Sequence, residues 1–162
     1  MRNPLASPDD YALFIHQLPE QYSAVRYSSL VYVPLGIKAG KVKGMVAFSG
    51  NVILCVQEFL NFELQVIEGY GYEVSKISSP AEAVPPAEEY CRPSYEKKEK
   101  LWWYDSFPHP NDRSLASTHP HHKHVHPNIK HNRIVAPELT FIAENLTFLV
   151  TEVIHFLERN NT

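Results

Sequence analysis

An α+β fold is what this sequence predicts: a short N-terminal helix, a mainly antiparallel sheet of four or five strands, and a long C-terminal helix packed on one face. Three observations carry that reading. Apolar side chains recur at helical spacing towards the C-terminus, runs of β-branched and aromatic residues separated by turn signals fill the middle, and Ser7-Pro8-Asp9-Asp10 writes a helix start. At 162 residues and 44% hydrophobic content, the chain is long and apolar enough to build one core. Residues 1–162 are therefore read as a single domain.

In the first element, the capping hydroxyl of Ser7 precedes a proline at the first helical position. Two acids then occupy the positive end of the helix dipole. The helix is expected to stop near Leu18, before Pro19. Residues 27–33 follow as a strand. Residues 44–48 and 52–59 flank Ser49-Gly50-Asn51, a three-residue hairpin connection. Residues 62–76 supply another strand, and residues 101–104 resume the sheet. Between them, residues 77–99 carry Pro80, Pro85, Pro86 and Pro93 and read as an exposed insertion. The last helix is expected to begin at Pro137. Leu139, Ile142, Leu146, Leu149, Val153 and Phe156 form one continuous stripe, broadened by Phe141 and Phe148. Packing of that stripe on the sheet is preferred to its use in a homodimer.

The apolar runs fall far short of the roughly 18 residues that a membrane span needs. Residues 1–10 lack the apolar stretch of a secretory leader. Cys55 and Cys91 are too few for a disulfide framework, and Cys55, within Val-Ile-Leu-Cys-Val, reads as a buried hydrophobe. A reduced, cytoplasmic protein is expected, with no membrane partner.

Function is expected in one segment. Seven of the nine histidines lie between His109 and His131, and residues 119–126 read His-Pro-His-His-Lys-His-Val-His. Imidazole titrates near neutrality and, when uncharged, ligates metals. From Arg113 to Arg133 there are four basic residues and no acid, in a chain of net charge -3. This basic island suits phosphate, while the acidic remainder argues against sequence-blind coating of DNA.

Two chemistries fit. In an extended segment His122, His124 and His126 share a face, and the outer two lie roughly 13 Å apart. Only a neighbouring pair such as His122 and His124 can then share a zinc ion, with Asp105 or Glu58 as the third ligand. Alternatively, two imidazoles act as base and acid across an RNA phosphodiester, whose 2′-OH is an internal nucleophile, so that no cofactor is required. On this second route, which is the one expected, His109, His121, His122 and His124 with Asp105 supply the acid–base groups, and Lys123 stabilises charge. His119, Arg113, Arg133 and Glu58 contact the substrate, and Tyr72, Tyr104 and Trp103 offer faces to unpaired bases. Histidines that merely cap loop carbonyls are the bland alternative, and His16 and His155 are assigned to it.

The stretch Tyr104-Asp105-Ser106-Phe107-Pro108-His109-Pro110 and the later Thr118-His119-Pro120-His121-His122-Lys123-His124 resemble the TumE-like toxin family of prokaryotic toxin–antitoxin systems. Members carry a strand ending in a carboxylate, a strand with tyrosines, an Arg-Tyr-Asp-Asn-x-Pro-His-His stretch and a Pro-His-His-Lys-His segment before the last helix. Glu58 matches the first, Tyr70 and Tyr72 the second, Asp105 and His109 the third, and residues 120–124 the fourth. The likeness covers roughly residues 40–160. Trp103 stands where the family has arginine, Ser106 where it has asparagine, and Pro110 where it has a second histidine; if that arginine binds phosphate, Arg113 or Arg133 must substitute for it, or activity is weakened. The resemblance implies a toxin whose cognate antitoxin is often a helix-turn-helix DNA-binding protein. The expected function is a metal-independent endoribonuclease toxin. A non-enzymatic nucleic-acid- or partner-binding module and a His/carboxylate metal-dependent nuclease are the alternatives.

Overall fold

The computed structural model describes residues 2–78, 87–93, 95 and 97–161. Helix α1 (Pro8–Gln21) leads into strands β1 (Val25–Ser28), β2 (Val31–Pro34), β3 (Ala39–Phe48), β4 (Val52–Asn61) and β5 (Val66–Ile77). A single-turn helix α2 (Ala87–Tyr90) precedes β6 (Lys98–Asp105), β7 (His122–His124), β8 (Arg133–Val135) and helix α3 (Leu146–Asn160). All strand pairs are antiparallel, in the order β1-β3-β4-β5-β6-β7-β8, with β2 also paired to β3.

The α+β class, the first helix and the Ser49–Asn51 connection match the sequence reading, but the sheet has eight strands rather than four or five. Two causes account for this. The expected strand at 27–33 breaks in two at Ser29, against which Gly44 packs so closely that a Cβ there would lie 2.5 Å from the Ser29 carbonyl oxygen. Gly44 also has φ +133, a conformation natural to glycine. The other additions, β7 and β8, are three residues each, too short for a period to be read.

The end of α1 and the start of α3 both differ from the expected bounds. Helix α1 continues through Pro19 to Gln21, because in the last turn a missing N–H forfeits only one helical bond. Its start is as expected, with Ser7 Oγ accepting the Asp10 N–H at 3.1 Å. Helix α3 begins at Leu146, not Pro137. The preceding loop spends its backbone groups sideways: the Asn145 amide bonds both the N–H and the carbonyl of Thr140, each at 3.0 Å, and the Phe141 carbonyl accepts the Ile67 N–H at 2.7 Å. Leu139 is buried there, while Ile142 is 75% exposed and drops out of the stripe. From Leu146 onward the helix face does pack on the sheet through Leu146, Leu149, Val150, Val153 and Leu157.

Residues 79–86, 94 and 96 of the expected insertion lie outside the described residues. The described remainder is not simply exposed. Tyr90 is buried with Met45, Ile53 and Cys55 on the sheet face opposite α1 and α3, and Cys91 forms a disulfide with Cys55. Cys55 is buried, as expected, but it is oxidised rather than a free thiol. Among the described residues, no helix is long and apolar enough to cross a membrane.

Glu58 lies in the helix-covered core and is fully buried, not at a solvated strand end. The Tyr11 and Tyr72 hydroxyls donate to its carboxylate at 2.6 and 2.7 Å, and Asn145 Nδ2 donates to the Tyr72 hydroxyl at 3.2 Å. This network ties α1, β4, β5 and the start of α3 together. Burial pushes the Glu58 carboxyl up to about 7, with the two tyrosine hydrogen bonds pulling back and the Glu144 charge adding to the rise.

Two outcomes follow from this core. Leu149 is fully buried, and Leu149→Asp should prevent folding, since an unpaired charge would replace a core contact; a soluble variant with an unchanged Tm would contradict the packing. For Glu58, the folded state holds its proton more tightly than the unfolded chain, so stability should fall as pH rises from the unfolded value of 4.5 to about 7, then level off. Glu58→Gln should remove that part of the slope, gaining on the order of 3 kcal/mol over wild type above the window. Melting curves compared across that pH range check it, and parallel wild-type and variant slopes would refute it.

Candidate functional site

Strand β6 ends at Asp105, and β7 pairs with it in the register Trp103↔His124, Tyr104↔Lys123 and Asp105↔His122. Alternation therefore brings Asp105, His122 and His124 to one face and Tyr104 and Lys123 to the other. Pro120 and Pro127, which cannot donate to a ladder, flank the short strand. Beyond it, Val125 N–H to Asn132 carbonyl at 3.1 Å closes the turn into β8.

On the open face the Asp105 carboxylate lies 2.8 Å from His122 Nε2 and 3.4 Å from His124 Nε2. Both imidazoles are buried, at 2% and 3% exposure, while Asp105 is partly exposed. Burial alone would raise the Asp105 carboxyl. The nearby His122 and His124 nitrogens, the His122 charge and the Phe107 N–H together outweigh it and hold the group well below the usual carboxylate range. His124 is further fixed by its Nδ1, 3.0 Å from the Ile129 carbonyl, and by stacking on Trp103 at 4.1 Å between ring centroids.

His122 also lines a cavity of about 290 Å³ with Phe107, His109, Arg113, His119 and Arg133. The His109 and His122 rings are 6.2 Å apart. Two guanidinium nitrogens of Arg133, Nε and Nη1, are buried with no hydrogen-bond partner among the described residues. The cavity therefore gathers three imidazoles and two guanidinium groups, five of the residues expected from sequence.

Other expected members are elsewhere. His121 turns to the helix-covered face, where its Nδ1 meets the Tyr70 hydroxyl at 2.7 Å and its ring packs on Phe141. Burial, then the charges of His119 and His122, lowers its pKa. Lys123 does not join the histidines: it pairs with Glu152 of α3 and lies over the Trp102 and Tyr104 rings. Glu152 also accepts from the Tyr104 hydroxyl and Trp102 Nε1 at 2.8 and 3.0 Å. Tyr72 and Tyr104, at 1% and 2% exposure, have no face free for a base. Glu58 lies across the sheet from His122 and His124, since its cross-strand partner Tyr70 alternates with Gly71, the partner of Asp105. It can be neither a third metal ligand nor a substrate contact.

Glu152 and the Ile129 carbonyl are the site neighbours that sequence reading missed. For Glu152 there was a signal, an acid set among the apolar residues in the middle of α3, whereas a backbone carbonyl leaves none.

A family model described as toxin TumE matches residues 15–157. No curated protein and no solved structure matches the chain. The matched stretch runs from within α1 almost to the end of α3 and takes in every residue of the site. The chain therefore belongs to the TumE toxin family, the toxin side of toxin–antitoxin pairs.

Proposed function

We propose that this toxin acts on RNA, cleaving its backbone in the cavity beside His122, with a helix-turn-helix protein as the cognate antitoxin. The observation that carries the reading is Arg133. Two buried, unpartnered guanidinium nitrogens on a cavity lined also by Arg113, three imidazoles and a single carboxylate, Asp112, suit a phosphodiester, which accepts charge-assisted hydrogen bonds.

The chemistry needs little more. One imidazole takes the proton of the 2′-OH as the 2′-oxygen bonds to phosphorus; the other donates a proton to the departing 5′-oxygen as the phosphorus–O5′ bond breaks. His109 and His119 are exposed on the cavity wall and fit these roles, with Arg113 and Arg133 neutralising the charge that develops on phosphorus. The buried His122, held against Asp105, closes the floor. Trp103, half-buried beyond Asp105 on the wall of an adjoining cleft, already has His124 stacked on it and the Lys100 ammonium over its ring, so it is assigned no base.

Purified protein incubated with total RNA should cleave it, and Arg133→Ala, His109→Ala and His119→Ala should each slow cleavage by on the order of 100-fold or more with folding intact. Saturable binding without cleavage would replace the enzyme with a binding module. The cleavage rate should pass through a maximum with pH, because one imidazole must be neutral while the other is charged. A rate that climbs steadily from about pH 5 to pH 9 would contradict acid–base catalysis by histidine.

A further inference from the structure

We infer that Asp105, His122 and His124 form a binding site for one divalent transition-metal ion of the zinc type. The three ligand atoms lie within 4.8 Å of one another. Bonds of about 2.0–2.1 Å in a tetrahedral site put neighbouring ligands roughly 3.4 Å apart, and the carboxylate reaches both imidazoles on that scale, His122 Nε2 through Oδ1 at 2.8 Å and His124 Nε2 through Oδ2 at 3.4 Å.

The hydrogen-bonding inventory points the same way. A carbonyl cannot donate, so the proton between His124 and Ile129 belongs to His124 Nδ1. The neutral ring then leaves its Nε2 a bare, buried acceptor 3.4 Å from a carboxylate oxygen, which brings two acceptors close together with nothing between them. A proton on either Nε2 would not resolve this, since both atoms are buried and neither has the carboxylate in hydrogen-bonding direction despite its closeness. A cation between the three atoms satisfies all of them. A ligating histidine fixed through its other nitrogen by a backbone carbonyl is also the usual outer-shell arrangement for such an ion.

The donor set selects the ion's class. Two imidazoles and one carboxylate suit zinc and its first-row neighbours, whereas magnesium and calcium favour all-oxygen surroundings. The site is rigid, because its ligands sit in register on two hydrogen-bonded strands and Trp103 backs His124. Three protein ligands leave a coordination position free. His122 lines the 290 Å³ cavity, and Asp105 lines two neighbouring clefts of about 410 and 250 Å³, so water or a phosphate oxygen has a route to that position. Metal binding here does not rest on the RNA reading, and its test contains no RNA.

The full chain, dialysed against chelator and then freed of it, is titrated with cobalt(II) and followed by visible absorption. A tetrahedral cobalt spectrum saturating at one equivalent and displaced by zinc is expected. His122→Ala and His124→Ala should weaken binding by more than the roughly 10–100-fold that loss of an outer-shell partner costs. Asp105→Asn, which keeps the side-chain volume, provides the same test should the histidine variants fail to fold. His126→Ala and His131→Ala, in exposed positions, should bind as wild type does. No cobalt spectrum in folded wild-type protein would overturn the inference, as would binding that survives His124→Ala or disappears with His126 or His131.

Discussion

A strand repeats its side chains with a period of two, and in the three residues of β7 that period separates two kinds of chemistry. His122 and His124 fall on the open face, against Asp105 at the end of β6, and Lys123 falls on the other, against Glu152 of α3. The register with β6 decides the outcome. A slip of one residue would bring Lys123 to Asp105 and drive both imidazoles under the helix, leaving no convergent trio and no histidine at the cavity floor. The Lys123–Glu152 pair, buttressed by Trp102 and Tyr104, opposes such a slip, so residues facing away from the site hold it in place.

The sheet also keeps two carboxylates apart and gives them opposite character. Glu58, fully buried under α1 and α3, meets two tyrosine hydroxyls, and burial dominates, so its carboxyl rises to about 7. Asp105, partly exposed on the far face, meets two imidazoles and a backbone N–H that together outweigh burial and keep it ionised. The first ties helices to strands, and the second organises chemistry. Both carboxylates lie within residues 15–157, the stretch that the TumE toxin family model matches.

Much of this was legible in the sequence. The Ser7 cap, the Ser49–Asn51 hairpin and the apolar face of α3 follow local rules that the structure keeps. His122 and His124 could be paired from their spacing, with the third member open between Asp105 and Glu58 until the sheet register placed Asp105 beside them. What escaped depended on partners distant in sequence. Asn145 delays α3 through bonds to Thr140 and Tyr72, the Cys55–Cys91 bond closes over 36 residues, and the face on which Glu58 lies depends on the register of three strands. Alternation alone sends Lys123 away from the histidines, but its destination required Glu152, 29 residues on, to be in place.

On the proposed reading, toxicity is carried by the cavity that His122 floors together with the Asp105 cluster beneath it. The most direct test is growth of cells in which the protein is induced without an antitoxin, comparing wild type with Asp105→Asn at matched levels of soluble protein. Growth should halt with wild type and continue with the variant, because a neutral amide lacks the charge that the carboxylate places beside the two buried imidazoles. Equal arrest by both proteins would place toxicity elsewhere on the molecule and contradict the account.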